Sequence, residues 1–167
     1  LVAIAVGTFG FLRWRRWAVP LFVLMVVLGQ MLISNTIKVV IDRARPELRP
    51  RVDFTGTSFP SGHTTAATAT YLTVALVLAI GSSPRVRAAL TGAVLAIGVA
   101  VGCTRVLLGV HFASDALAGF AIALSWFGLC AVAFGGRLLS FGTPMQVAAA
   151  PTVRPPPVRT HARPGEM

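Results

Sequence analysis

The sequence predicts an all-α, polytopic transmembrane helix bundle: four full spans plus a partial N-terminal helix. Three observations carry that prediction. Of 167 residues, 55% are hydrophobic and only 12% charged, with a mean hydropathy of +0.77; a soluble domain is about 25% charged. The apolar residues gather in runs close to the ~20 residues that a helix needs to cross a bilayer. The net charge of +10 falls mainly between and after those runs, as at the cytoplasmic flanks of membrane proteins. A water-soluble globule is therefore excluded. So is disorder over most of the chain, because the apolar fraction is too high. A nucleic-acid surface is the weaker account of the basic excess.

The four runs are Trp17–Ile37, Thr64–Ile80, Ala88–Val110 and Ala116–Phe134. They hold no interior Lys, Asp or Glu, and Arg105 falls late in the third. An ionisable residue at such a place is a functional candidate by default. Leu1–Leu12 is also apolar, but twelve helical residues rise only about 18 Å against a hydrocarbon core of about 30 Å. Because the sequence starts at Leu, an upstream part of this helix is expected to lie beyond it. A signal peptide fits less well, since Arg13, Arg15 and Arg16 follow the apolar run and do not precede it. Residues 1–143 form one expected transmembrane domain. Residues 144–167, rich in Pro, Ala and Arg, are expected to be a disordered cytoplasmic tail.

Orientation follows from loop charge. If the spans alternate, Arg13, Arg15, Arg16, Arg85, Arg87, Arg137, Arg154, Arg159 and Arg163 share one side with Glu166, a net of +8. Lys38, Arg43, Arg45, Arg49, Arg51 and Arg105 share the other with Asp42, Glu47, Asp53 and Asp115, a net of +2. The first side is expected to be cytoplasmic, and the second to face outward from the cell membrane. Within the spans, Gly98 and Gly102 form a small-xxx-small pair, and Thr64, Ala67 and Thr68 can line one helix face. Close helix packing is the expected role of both sets. Cys103 and Cys130 have no ligand-like spacing and are expected as free, buried thiols.

Three clusters sit on the outward side. They are Lys38 with Arg45-Pro46 after six residues; Pro60-Ser61-Gly62-His63 ahead of an apolar helix; and Arg105, His111 and Asp115 separated by five and three residues. Singly, each has an ordinary structural account: snorkelling cations, a helix cap and turn, or a satisfied polar pair. Together, their order, spacing and shared side resemble the signature of the type 2 phosphatidic acid phosphatase superfamily. The resemblance runs from Lys38 to Asp115, nearly half the chain. One departure is Thr104, where the family usually has Ser before the Arg of the third cluster.

The resemblance implies a membrane phosphatase that acts on a lipid phosphate or diphosphate and forms a phosphohistidine at His111, without a metal or other cofactor. His63 would then protonate the leaving oxygen and later activate water. In bacteria, the outward-facing members of this family commonly take undecaprenyl diphosphate, phosphatidylglycerol phosphate or phosphatidic acid. The residue chemistry agrees. Phosphate ester hydrolysis is extremely slow uncatalysed, and its catalysis is largely charge clamping and alignment. Arg45 and Arg105 can offer planar forks and Lys38 a point charge. Ser61 and Gly62 stand where backbone N–H groups at a helix N-terminus would meet an anion. His111 and Asp115 are one helical turn apart, so the carboxylate can fix the imidazole tautomer and leave the other nitrogen free to attack. No HExxH or multi-carboxylate set suggests a metal, and His161 in the tail is expected to have no catalytic part. Arg occurs fourteen times and Lys once, so a compact ammonium is expected to matter at Lys38.

Two other readings fit part of this pattern. Vanadate-dependent haloperoxidases share the three clusters, with vanadate as cofactor, but are soluble. A small non-enzymatic transporter or scaffold would explain the spans and the charge, but not the spacing of two His, an Asp and three cations. The lipid substrate is the expected partner, with no nucleic acid or protein partner implied.

Overall fold

Five helices follow one another in the computed structural model, which describes residues 1–15, 17–46 and 56–139, the last five of these by backbone alone. They are α1 (Val2–Trp14), α2 (Ala18–Ile41), α3 (Gly62–Leu78), α4 (Pro84–Leu107) and α5 (Ala113–Leu139). The expected tail, the end of the expected domain at 143 and His161 lie outside the described residues. So do Arg16, Glu47, Arg49, Arg51 and Asp53 from the orientation argument.

The bounds of α4 and the start of α5 have local causes. Helix α4 begins four residues before the expected run because Ser83 caps it, accepting from the Val86 amide at 3.4 Å, with Pro84 in the first turn. Proline loses nothing there, since its missing N–H would have no helical partner. The helix gives way to Gly109, whose φ of 73° is the left-handed conformation that favours glycine. Asp115 lies in the first turn of α5, where a negative charge suits the helix dipole.

Among the described residues, three helices are long and apolar enough to cross a membrane: Ala18–Ile41, Pro84–Leu107 and the Ala113–Phe134 part of α5. The fourth expected span, Thr64–Ile80, appears as α3. Its 17 residues rise about 25 Å, a little less than the ~30 Å hydrocarbon core, which makes it the shortest helix from α2 onward. Helix α3 packs against all four other helices and buries eight of its residues, four of them threonines. Its surroundings are mainly protein, so it needs neither the length nor the uniform hydropathy of a lipid-facing helix. Two of the threonine hydroxyls are accommodated within the helix, Thr73 donating to Ala69 O at 2.8 Å and Thr65 to Ser61 O at 2.8 Å, whereas Thr68 Oγ1 is buried without a hydrogen-bond partner.

Glycines set how closely the neighbours approach α3. A Cβ at Gly98 would fall 2.5 Å from Thr68 Oγ1 and 3.0 Å from the Phe120 ring. One at Gly119 would fall 2.7 Å from the Ser61 carbonyl oxygen. The first closes α4 onto α3 and α5, as the small-residue spacing predicts; the second seats α5 on the N-terminal end of α3.

Apolar and polar burial are separated along the bundle. Val19, Phe22, Val23 and Val26 of α2 pack with Ala69, Val77, Ala123 and Cys130. Phe22 sits edge-on to Phe127 and Phe134 at 5.9 and 5.7 Å. Towards the other end the buried residues become Thr64, Thr65, Ser61, Ser58, His111 and Asp115. Of the two free thiols, Cys130 is buried as expected, whereas Cys103 is exposed. It lies on the outer face of α4, where an apolar run bounded by lipid has no need to point inward.

Candidate active site

The polar end is where the C-terminal ends of α2 and α4 meet the N-terminal ends of α3 and α5, so consecutive helices from α2 onward run antiparallel. All three sequence clusters are carried there. Arg45 joins them. Its Nε donates to Gly56 O at 2.9 Å, and its guanidinium nitrogens donate to Thr57 O at 3.3 Å and Val110 O at 2.8 Å. The guanidinium that reaches Val110 also lies 3.5 Å from His111 Nε2. Lys38 Nζ donates to the same Thr57 carbonyl at 2.9 Å. Two cationic heads thus converge on one carbonyl oxygen, an arrangement that repels itself unless an anion is held between them. Neither Lys38 nor Arg105 has an ion-pair partner among the described residues, and Arg105 Nε is buried without a hydrogen-bond acceptor.

Gly62 begins α3 and Ser61 caps it, with no cap bond from the serine side chain. The Ser61 hydroxyl accepts from Thr64 Oγ1 at 3.0 Å. Its amide, expected to face an anion, donates instead to Asp115 O at 3.0 Å, because Gly119 lets α5 come so close. The anion-facing end of α3 is therefore left to the next amides, those of Gly62 and His63. Lys38 Cε lies 3.8 Å from where a Gly62 Cβ would be, so the ammonium stem passes directly over that helix end. His63 is exposed, and Arg105, Arg45 and Lys38 all lie near enough to act on its charge.

His111 is 4% exposed and Asp115 fully buried. Their spacing brings His111 Nδ1 to 3.5 Å from Asp115 Oδ2, a polar contact without hydrogen-bond alignment. Better-placed donors occupy the carboxylate. Ser58 Oγ makes a close hydrogen bond to Oδ2. The Phe112 amide donates to Oδ2 at 2.9 Å, the reach-back of a helix capping box. Arg43 donates to Oδ1 at 2.9 Å and to Ser114 Oγ at 2.8 Å, with its guanidinium 4.2 Å over the Phe112 ring. Burial lowers the His111 pKa below its ordinary value; the Arg45 charge lowers it further and Asp115 partly offsets both. The ring is thus held neutral, with Nε2 turned to the cations. A neutral, buried imidazole nitrogen facing clustered cations can attack an electrophile that the cations hold.

Arg43, Ser58 and Thr57 were not singled out in the sequence. A buried carboxylate at Asp115 demands a cation and further donors, but that demand does not say which arginine meets it. Thr104 is exposed and donates to Val101 O of its own helix at 2.7 Å.

Comparison with known proteins places this arrangement in context. The chain is 34% identical over 132 residues to phosphatidylglycerophosphatase B of Bacillus subtilis, covering 76% of this chain and 62% of that protein. It is 36% identical over 108 residues to a lipid A 1-phosphatase of Rhizobium johnstonii, covering 59% and 40%. The chain thus spans less than two thirds of the length of these curated relatives. The crystal structure of a transmembrane PAP2 type phosphatidylglycerolphosphate phosphatase from Bacillus subtilis superposes with a TM-score of 0.71 at 30% identity, over 81% of this chain and 67% of that one. The profile of the PAP2 superfamily matches residues 17–138, which include every cluster described above, and the chain belongs to that superfamily.

Proposed function

We propose that the chain is a membrane lipid phosphatase that releases inorganic phosphate through a phosphohistidine at His111. The observation that carries this reading is the convergence of Lys38 and Arg45 on one carbonyl with His111 Nε2 facing them. Arg105 and the Gly62 and His63 amides complete a cradle for phosphate oxygens, to which a helix N-terminus is suited. The Nε2 lone pair forms the N–P bond as the P–O bond to the lipid breaks, and His63 gives its proton to the leaving oxygen. His63 then takes a proton from water; the water oxygen bonds to phosphorus, the N–P bond breaks, and inorganic phosphate departs. Asp115 favours the tautomer with hydrogen on Nδ1, and Arg43 and Ser58 hold Asp115 in place as positioning residues.

The site faces the extracytoplasmic leaflet in this reading, which the bias of loop charge supports. The likeness to a phosphatidylglycerophosphatase over most of the chain favours a glycerol-based lipid phosphate. Purified protein should release phosphate from phosphatidylglycerol phosphate faster than from phosphatidic acid or undecaprenyl diphosphate. Radiolabelled substrate quenched in alkali, where phosphohistidine persists, should leave label on the wild-type protein and none on His111→Ala. Full turnover by His111→Ala or His63→Ala would end this reading.

A further inference from the structure

An apolar groove of about 530 Å³ runs between α4 and α5, outside the cradle itself. Its walls include Gly98, Val99, Cys103 and Leu107 on α4 and Leu117 and Phe120 on α5, and Thr64 of α3 lies at its floor. Three features tie it to the site. The Thr64 hydroxyl donates to Ser61 Oγ at 3.0 Å, so floor and cradle are hydrogen-bonded neighbours. Leu107 and Ala113 bound the loop that carries His111, and Ala116 directly follows Asp115, so the groove opens at the cradle end. Val99, Leu107 and Leu117 are largely exposed and Cys103 is exposed, so the groove is reached sideways from the bilayer.

Its depth says what fits. From Leu107 to Gly98 an α-helix rises about 14 Å, close to half the ~30 Å hydrocarbon core. That is one leaflet, the depth of a fatty-acyl chain whose headgroup lies at the membrane surface. A polyprenyl chain would far outrun it. A second apolar groove, lined by Leu21, Leu24, Leu28, Trp126 and Phe134, lies away from the cradle and has no such continuity.

We propose that the α4–α5 groove receives one fatty-acyl chain of a glycerol-based lipid phosphate while its phosphate occupies the cradle. The inference rests on the phosphatase reading and adds the part of the molecule that reads the chain.

Cys103 supplies the test, because Cys130 is buried. In the full chain in detergent micelles, maleimide labelling of Cys103 should be lost when a dioleoyl phosphatidate phosphonate, which resists hydrolysis, is added. Dioleoyl phosphatidylcholine should not protect it, and Cys103→Ser supplies the unlabelled control. Equal protection by both lipids would mean that any bilayer chain fills the groove, and stronger protection by a polyprenyl phosphate would mean the wrong chain; either overturns the proposal. In turnover, Val99→Trp and Cys103→Trp should each lower the kcat/KM ratio of dioleoyl over dibutyryl phosphatidate by about tenfold, the scale of one or two displaced methylenes. An unchanged ratio in both variants overturns it as well. A wild-type protein that hydrolyses none of phosphatidate, phosphatidylglycerol phosphate and undecaprenyl diphosphate sinks the phosphatase reading alone, since the labelling comparison needs no turnover.

Discussion

At Asp115 one buried carboxylate serves three masters: the N-terminus of α5 through Phe112, the loop at Ser58, and Arg43. Only a longer contact is left for His111. Arg43→Ala should therefore lower kcat about 10–100-fold with little change in KM, as for groups that orient a reacting residue from behind. Arg43→Lys should restore part of the loss. The stability cost should be about 1–3 kcal/mol, below that of a fully buried pair because Arg43 is partly exposed; thermal unfolding in detergent checks it. Gly62→Ala separates binding from folding. The new methyl meets only Lys38 Cε at ordinary contact distance, so unfolding should be unchanged while KM rises as the methyl crowds the approach to the helix end. The lowered pKa of His111 also has a definite sign. In the proposed mechanism the attacking ring must be neutral, and it stays so below its ordinary value of about 6.5. The acid limb of kcat/KM that reports this ring should therefore fall below that pH. Arg45→Gln, which removes a repelling charge, should move the ring's NMR titration upward.

Helix α3 shows how an element's surroundings override its hydropathy. Its threonine-rich face is read from sequence as packing surface, and it packs, but its length follows from being enclosed by four helices. Its seat depends on Gly119. A Cβ there would meet the Ser61 backbone oxygen, which cannot swing aside as a side chain would. Gly119→Ala should thus destabilise the fold by about 1–3 kcal/mol and also cut turnover, because the Ser61–Asp115 backbone bond holds cradle and dyad in register. Loss of stability with full turnover in the folded fraction would show that this register does not matter.

For the whole molecule, the alternation of helices puts the cradle and the 79–83 turn at opposite ends. On the proposed orientation, which rests on loop charge, the cradle lies outside. A membrane-impermeant maleimide applied to intact cells should label Gly56→Cys and spare Ser82→Cys, each made in a chain lacking Cys103; the reverse pattern would invert the orientation.

Hydropathy runs and the spacing of Lys38, Arg45, His63, Arg105, His111 and Asp115 made the helical class and the residues that gather at the polar end of the bundle legible in the chain, because spans and short motifs are local patterns. Three things were settled only when the helices packed: the shortness of α3, the diversion of the Ser61 amide to Asp115, and the choice of Arg43 and Ser58 as that carboxylate's partners. The last two are contacts between residues distant in sequence, and which donor reaches a buried oxygen depends on where two helix ends come to rest.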